Sequence, residues 1–129
     1  MDRIDLQSRG IGPTITVKDL QASIRFYTEG LGFTIADRYE TDGVLTFMML
    51  RAGDASLGLG QDDFAKGRDR VKGVGVRLWV PTEQDIHALA AQAQAAGITL
   101  NSEVMPLPWG PLAFELTDPD GFVLTVHNG

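Results

Sequence analysis

The chain is 129 residues long, 43% apolar and 22% charged, which fits one globular domain with a single sizeable core. Seventeen acidic against 11 basic side chains leave a formal net charge of −6. The one basic cluster, Lys66, Arg68, Arg70 and Lys72, is interrupted by Asp69 and reads as a solvated linker, so no nucleic-acid partner is expected. The absence of Cys excludes disulfides, thiolate metal sites and a Cys nucleophile. The longest uncharged apolar run, Val44–Leu50, is far short of the roughly 20 residues that span a bilayer. Met1–Asp5 has no apolar core of the secretory kind, so a cytoplasmic setting with no membrane partner is expected.

In chain order, Gly12–Val17 alternates as a half-buried strand does, with Ile11, Pro13, Ile15 and Val17 on one side. Asp19 is placed to cap a helix whose apolar positions Leu20, Ile24, Tyr27 and Leu31 recur at three and four residues, and Gly30 and Gly32 end it. Phe33–Tyr39, Val44–Leu50 and Ser56–Gly60 follow as three strands joined by the turns Thr41-Asp42-Gly43 and Ala52-Gly53-Asp54.

The second half repeats this order. Gly73–Val80 alternates with Val74, Val76, Leu78 and Val80 on one face. Pro81 and Thr82 open a helix in which Thr82 and Asp85 form a weak capping box, Ile86, Leu89, Ala90 and Ala93 make the apolar face, and Gly97 closes it. Ile98–Met105, Leu112–Thr117 and Phe122–His127 are the remaining strands, the last two joined by the turn Asp118-Pro119-Asp120-Gly121, whose residues serve turn geometry. Val17 lies 15 residues before Gly32 and Phe47 lies 15 after it; Val80 lies 17 before Gly97 and Phe114 lies 17 after it. The expectation is one domain over 1–129, with module one at about 10–62, a linker at about 61–71 and module two at about 72–128.

Val17-Lys18-Asp19-Leu20, Phe26-Tyr27 and Leu31-Gly32-Phe33 resemble the opening signature of the vicinal oxygen chelate superfamily, and Asp118-Pro119-Asp120-Gly121 resembles its closing hairpin. That group includes glyoxalase I, extradiol dioxygenases, fosfomycin-resistance enzymes and bleomycin-resistance proteins. The resemblance covers roughly residues 10–128 and implies an α+β fold: two βαβββ modules forming a curled eight-stranded cup, commonly in a homodimer. It also implies four metal-ligating positions in the enzymes. By spacing these fall on Gly12, Gly58, Gly75 and Thr125, where His, Gln or Glu would be needed. No metal and no cofactor is therefore expected.

Strand parity then selects the side chains that face the cup. Arg77 and Trp79 lie opposite the Val-Val-Leu-Val face, Val123, Thr125 and His127 opposite the core face of the last strand, and Ala113, Glu115 and Thr117 on the strand before it. Module one contributes Thr14, Thr16, Thr46, Met48, Ser56 and Gly58 by the same rule. The segment Pro106–Pro111 is a rigid rim loop, because Pro cannot donate to a sheet. Its Trp109 covers a ligand, a partner subunit or its own core, and Phe64 in the linker is positioned to close the same rim.

Arg77 and Glu115 form an ion pair across the sheet or, unpaired, orient a polar ligand or move protons. His127 is a base in the cup or a frayed chain end, and His87 packs or faces solvent. No phosphate-binding glycine loop, nucleophile elbow, His-Glu-x-x-His or calcium loop is present. The expected function is metal-free binding. By resemblance to bleomycin-resistance proteins, an aromatic or cationic small molecule would be sequestered by Trp79, Trp109, Arg77, Glu115, Met48, Thr14, Thr125 and Phe64, with no catalytic residue. The alternatives are an enzyme of the same group (a lyase, isomerase or oxygenase using an atypical site or Glu115 and His127 as acid and base) and a purely structural or regulatory dimer.

Overall fold

A computed structural model describes residues 2–129. Ile15 and Val17 of β1 (Thr14–Val17) point inward, and Asp19 then caps α1 (Leu20–Arg25), its carboxylate accepting the Ala22 N–H at 3.1 Å. The helix widens into a π turn at Phe26–Gly30, where the Thr28 hydroxyl donates back to the Ile24 carbonyl. β2 (Thr34–Thr41), β3 (Val44–Ala52) and β4 (Ala55–Gln61) complete the first module. The second contains β5 (Arg77–Pro81), α2 (Ile86–Ala95), β6 (Met105–Pro106), β7 (Leu112–Thr117) and β8 (Val123–His127).

Each module makes one four-stranded sheet, in the orders β1-β4-β3-β2 and β5-β8-β7-β6. In both, the first and last strands of the module pair in parallel and the other pairs are antiparallel. The helix-bearing faces of both sheets share one core. Leu50, Leu57 and Leu59 come from the first sheet, Phe114, Leu116 and Leu124 from the second, and Leu20, Tyr27 and Ile86 from the helical segments. The opposite faces of the curled, unclosed sheets lie away from this core. No helix of the described residues is long and apolar enough to cross a membrane.

Four expectations need correction. The strand expected at Gly73–Val80 starts only at Arg77, because Gly73 (φ 78°) and Gly75 (φ 75°) are left-handed and the Val76 N–H closes a turn onto the Gly73 carbonyl. Val74 and Val76 are consequently exposed. α2 begins at Ile86, not at Thr82. The Thr82 N–H donates to the His127 carbonyl and its hydroxyl accepts from Gln84 N–H, so Asp85 becomes the cap, accepting from Ala88 N–H at 3.2 Å.

Of the strand expected at Ile98–Met105, only Met105 pairs, together with Pro106. Pro106, Pro108 and Pro111 cannot donate to a ladder, and the Asn101 N–H makes a lone bond to the Glu115 carbonyl. Finally, the basic linker is not simply solvated. The Lys72 side chain is 7% exposed, with Nζ 3.0 Å from Asp62 Oδ2 and 3.6 Å from Asp120 Oδ1, and Arg70 approaches Asp62 at 3.5 Å.

These ions belong to a clasp across the molecule. Asp118 Oδ1 accepts the N–H groups of Asp120 and Phe122, which sets the hairpin, while Oδ2 accepts the buried Tyr27 hydroxyl at 2.8 Å. Asp120 Oδ1 accepts the Lys18 N–H at 2.8 Å. The hairpin of module two is thus bonded to the helical connection of module one and to the linker. Burial, followed by the Asp118 charge, holds the Tyr27 hydroxyl protonated well above the usual phenol range. Burial likewise raises the Asp118 carboxyl, against the lowering effect of the Tyr27 hydrogen bond.

Candidate functional site

The second sheet carries a polar and aromatic face opposite its core. β5 pairs with β8 and β8 with β7, so Trp79, Thr125 and Glu115 fall in one cross-strand row. Arg77 Nη1 donates to Glu115 Oε2 at 2.6 Å and to Thr125 Oγ1 at 2.9 Å. Glu115 Oε1 accepts from Asn101 Nδ2 at 2.9 Å, and Asn101 also bonds Thr117. The Asn101 amide and then the Arg77 guanidinium hold the Glu115 carboxyl below the usual range. A carboxylate so held is a weak base, which argues against proton transfer by Glu115 at neutral pH.

Beside this network lie both tryptophans of the chain. Trp79 is 49% and Trp109 64% exposed, with ring centroids 6.0 Å apart and planes tilted by 48°. His127 stands edge-on to Trp79 at 5.7 Å; it is held in β8 opposite Pro81 and Ala113 rather than frayed, and its Nδ1 is buried without a hydrogen-bond partner. Met105, Ala113, Glu115 and the two rings wall an open groove of about 490 Å³ under the Pro106–Pro111 loop. A second, larger cleft of about 1180 Å³ separates β5 from the Ser8–Pro13 segment and the start of β4. Arg77 and Trp79 line both.

Arg77, Trp79, Trp109, Glu115 and Thr125 are therefore brought together, and Arg77 and Glu115 are paired. The other candidates are not brought to them. Met48 is 2% exposed and packs in the helix-side core, opposite Leu59 of β4. The error has a definite source. Phe47 and Phe114 match by spacing but not by structure, since Phe114 pairs with Val126 in the core while Phe47 lies on the concave face against Tyr39. Met48 shares the core side of β3 with Leu50, and a one-residue shift flips every side chain of a strand. Thr46 falls at an irregularity of the β2–β3 ladder, where its hydroxyl bonds Thr41 and the Tyr39 carbonyl.

Thr14 lies on the concave face of the first sheet and lines neither groove; its hydroxyl and the Phe47 ring crowd Gly58, where a Cβ would come within 2.8 Å and 2.6 Å of them. Phe64, left-handed at φ 62°, sits beneath the Arg68 guanidinium at 4.0 Å and borders neither groove. Asn101 and Met105 are the site residues that strand parity missed, because the segment bearing them is largely irregular.

Residues 10–126 match the family described as the glyoxalase/bleomycin resistance protein/dioxygenase superfamily. The chain belongs to that superfamily. Among its superfamily relatives, a protein named glutathione transferase FosA, from Serratia marcescens, is 28% identical over 90% of this chain and 77% of its own length. Similar solved structures include TioX from Micromonospora sp. ML1 (TM-score 0.75, 15% identity, 94% of this chain and 98% of that one). A lactoylglutathione lyase from Agrobacterium tumefaciens is also similar (TM-score 0.69, 19% identity, 95% and 96%). At these identities the structures establish the shared fold.

The divalent metal of the superfamily's enzymes does not fit the residues present here. Gly58 and Thr125 sit on β4 and β8, but Gly12 and Gly75 lie ahead of β1 and β5, and none of the three glycines has a donor. The Thr125 hydroxyl is taken by Arg77, and no three His, Cys, Asp or Glu side chains converge among the described residues.

Acidification should remove two stabilising charges together. Asp62, held ionised first by Lys72, and Glu115, held first by Asn101, both titrate below their ordinary values of 3.8 and 4.5. Their contribution is complete above those ordinary values and is lost as pH falls through the lowered folded-state values; Asp118, raised, acts in the opposite sense. The thermal midpoint is therefore expected to fall steeply below about pH 4, less so in Asp62→Asn. A midpoint unchanged down to about pH 2 would contradict this assignment.

Proposed function

We propose that this protein is a cytoplasmic, metal-free small-molecule binding protein, akin to the bleomycin-resistance members of its superfamily, that holds a planar aromatic ligand, cationic ones included, against Trp79 and Trp109. The observation that carries the reading is the pair of half-exposed indoles over an open groove walled by a neutralised ion pair. Indole faces left in water gain when a flat ring covers them, and such binding needs neither nucleophile nor metal. The proposal includes a homodimer. Its support is the apolar surface on and beside β2, where Ile35, Tyr39 and Val44 are each more than half exposed. Sedimentation should give twice the chain mass; a monomer at micromolar concentration removes that part.

Both tryptophans lie at the groove, so their quenching by acridone (neutral) or 9-aminoacridine (cationic) reads binding directly. Trp109→Ala is expected to weaken the tighter of the two by about 1–3 kcal/mol while the circular dichroism spectrum stays unchanged. Equal affinity in the variant would take Trp109 out of the site. An enzymatic reading is favoured by the relatives named as a glutathione transferase and a lactoylglutathione lyase. Saturable binding of glutathione in calorimetry, without competition from either acridine, would move the conclusion to that reading.

A further inference from the structure

We infer that the ligand of this groove carries a carboxylate, seated on the free edge of the Arg77 guanidinium; this deepens the aromatic-binding reading and rests on it. A guanidinium has five N–H donors. Here Glu115 and Thr125 both take Nη1, and no protein acceptor engages Nε or Nη2 among the described residues. Nε and Nη2 form the side-on fork whose two parallel N–H bonds match a carboxylate. The Arg77 side chain is 42% exposed, and Arg77 borders both clefts, beside Trp79 in each.

The acceptors opposite are already engaged. Asn101 holds one oxygen of Glu115 and Arg77 the other, and the Glu115 charge is compensated. The net charge of −6 is therefore not the charge of the groove, where Arg77 and Glu115 offset each other. Guanidinium Cζ lies 5.8 Å from the Trp79 ring centroid, so a ring bearing a carboxylate would lie along the indoles with its anion on the fork. Thr125 and Glu115 act as positioning residues that fix the guanidinium plane.

The test is calorimetric titration of the full chain with 2-naphthoate and with the neutral 2-naphthalenemethanol. Wild type is expected to bind the naphthoate about tenfold more tightly. Arg77→Gln should abolish that preference, the two probes then binding with equal affinity. Glu115→Gln, which removes the competing anion, should widen the preference for naphthoate over the alcohol, an effect that a merely structural ion pair would not produce. Thermal melts of both variants confirm that they fold. Equal affinity of the two probes in wild type, or a preference that survives Arg77→Gln, overturns the inference and leaves the aromatic reading standing. Binding of neither probe overturns both.

Discussion

Lys72→Met is expected to lower the unfolding free energy by more than the roughly 1 kcal/mol of a surface ion pair, read from urea denaturation. Methionine matches the lysine stem in length and keeps its packing, so the loss reports the charge. In the native protein one ammonium group, 7% exposed, lies between two carboxylates whose side chains are 4% (Asp62) and 3% (Asp120) exposed. Removing it leaves two anions near each other in a site that water barely reaches, and an uncompensated buried charge is far more costly than an absent ion pair. Arg70 and the Lys18 N–H remain as partial compensation for Asp62 and Asp120. A double-mutant cycle separates the mechanisms: Asp62→Asn should cost less in the Lys72→Met background than in wild type. A loss below about 1 kcal/mol would place Lys72 among ordinary surface ion pairs.

Gly73→Ala, at the next residue, should be comparably damaging for a steric reason. Gly73 is left-handed at φ 78°, and an added Cβ would lie 2.5 Å from the Gly121 carbonyl oxygen, 2.6 Å from its carbon and 2.9 Å from the Phe122 nitrogen. All three are backbone atoms of the Gly121–Phe122 peptide, so no rotamer change relieves the contact. The strain of the left-handed residue, roughly 1–2 kcal/mol, adds to an overpacking cost of roughly 1–3 kcal/mol. Gly75 is the internal control. Its φ is 75°, yet nothing lies within 4 Å of the added atom, so Gly75→Ala should show the backbone strain alone. Equal losses in the two variants would mean that the linker does not press on the hairpin.

The sequence displays most of the architecture because its signals are local. Ile15 and Val17 alternate, Asp19 caps, Gly32 closes the helical segment, and the same order returns after the linker. It misleads where two conformations share one pattern. Gly73-Val74-Gly75-Val76 alternates like a strand, but its glycines permit the turn that the hairpin contact requires. Parity finds Arg77, Trp79, Glu115 and Thr125 because β5, β7 and β8 keep regular pairing. It fails at Met48, where a matched spacing of two phenylalanines sets the wrong phase. Tyr27–Asp118 and Lys72–Asp62–Asp120 are beyond any local reading, since each joins residues far apart in the chain whose identities alone allow solvated or turn roles. Asn101 is hidden for a similar reason, since its partner Glu115 is set by tertiary packing.

The placement of the two indoles also separates folding from binding spectroscopically. Both are about half in water in the native state, so native emission already approaches that of a solvated indole, and denaturation should move its maximum little. Tyr27, enclosed by the core between Phe26 and Phe33, is the tyrosine whose surroundings change most on unfolding, since Tyr39 is already half exposed. A blue shift in the tryptophan band therefore marks an occupied groove, and loss of near-ultraviolet tyrosine dichroism marks a dissolved core.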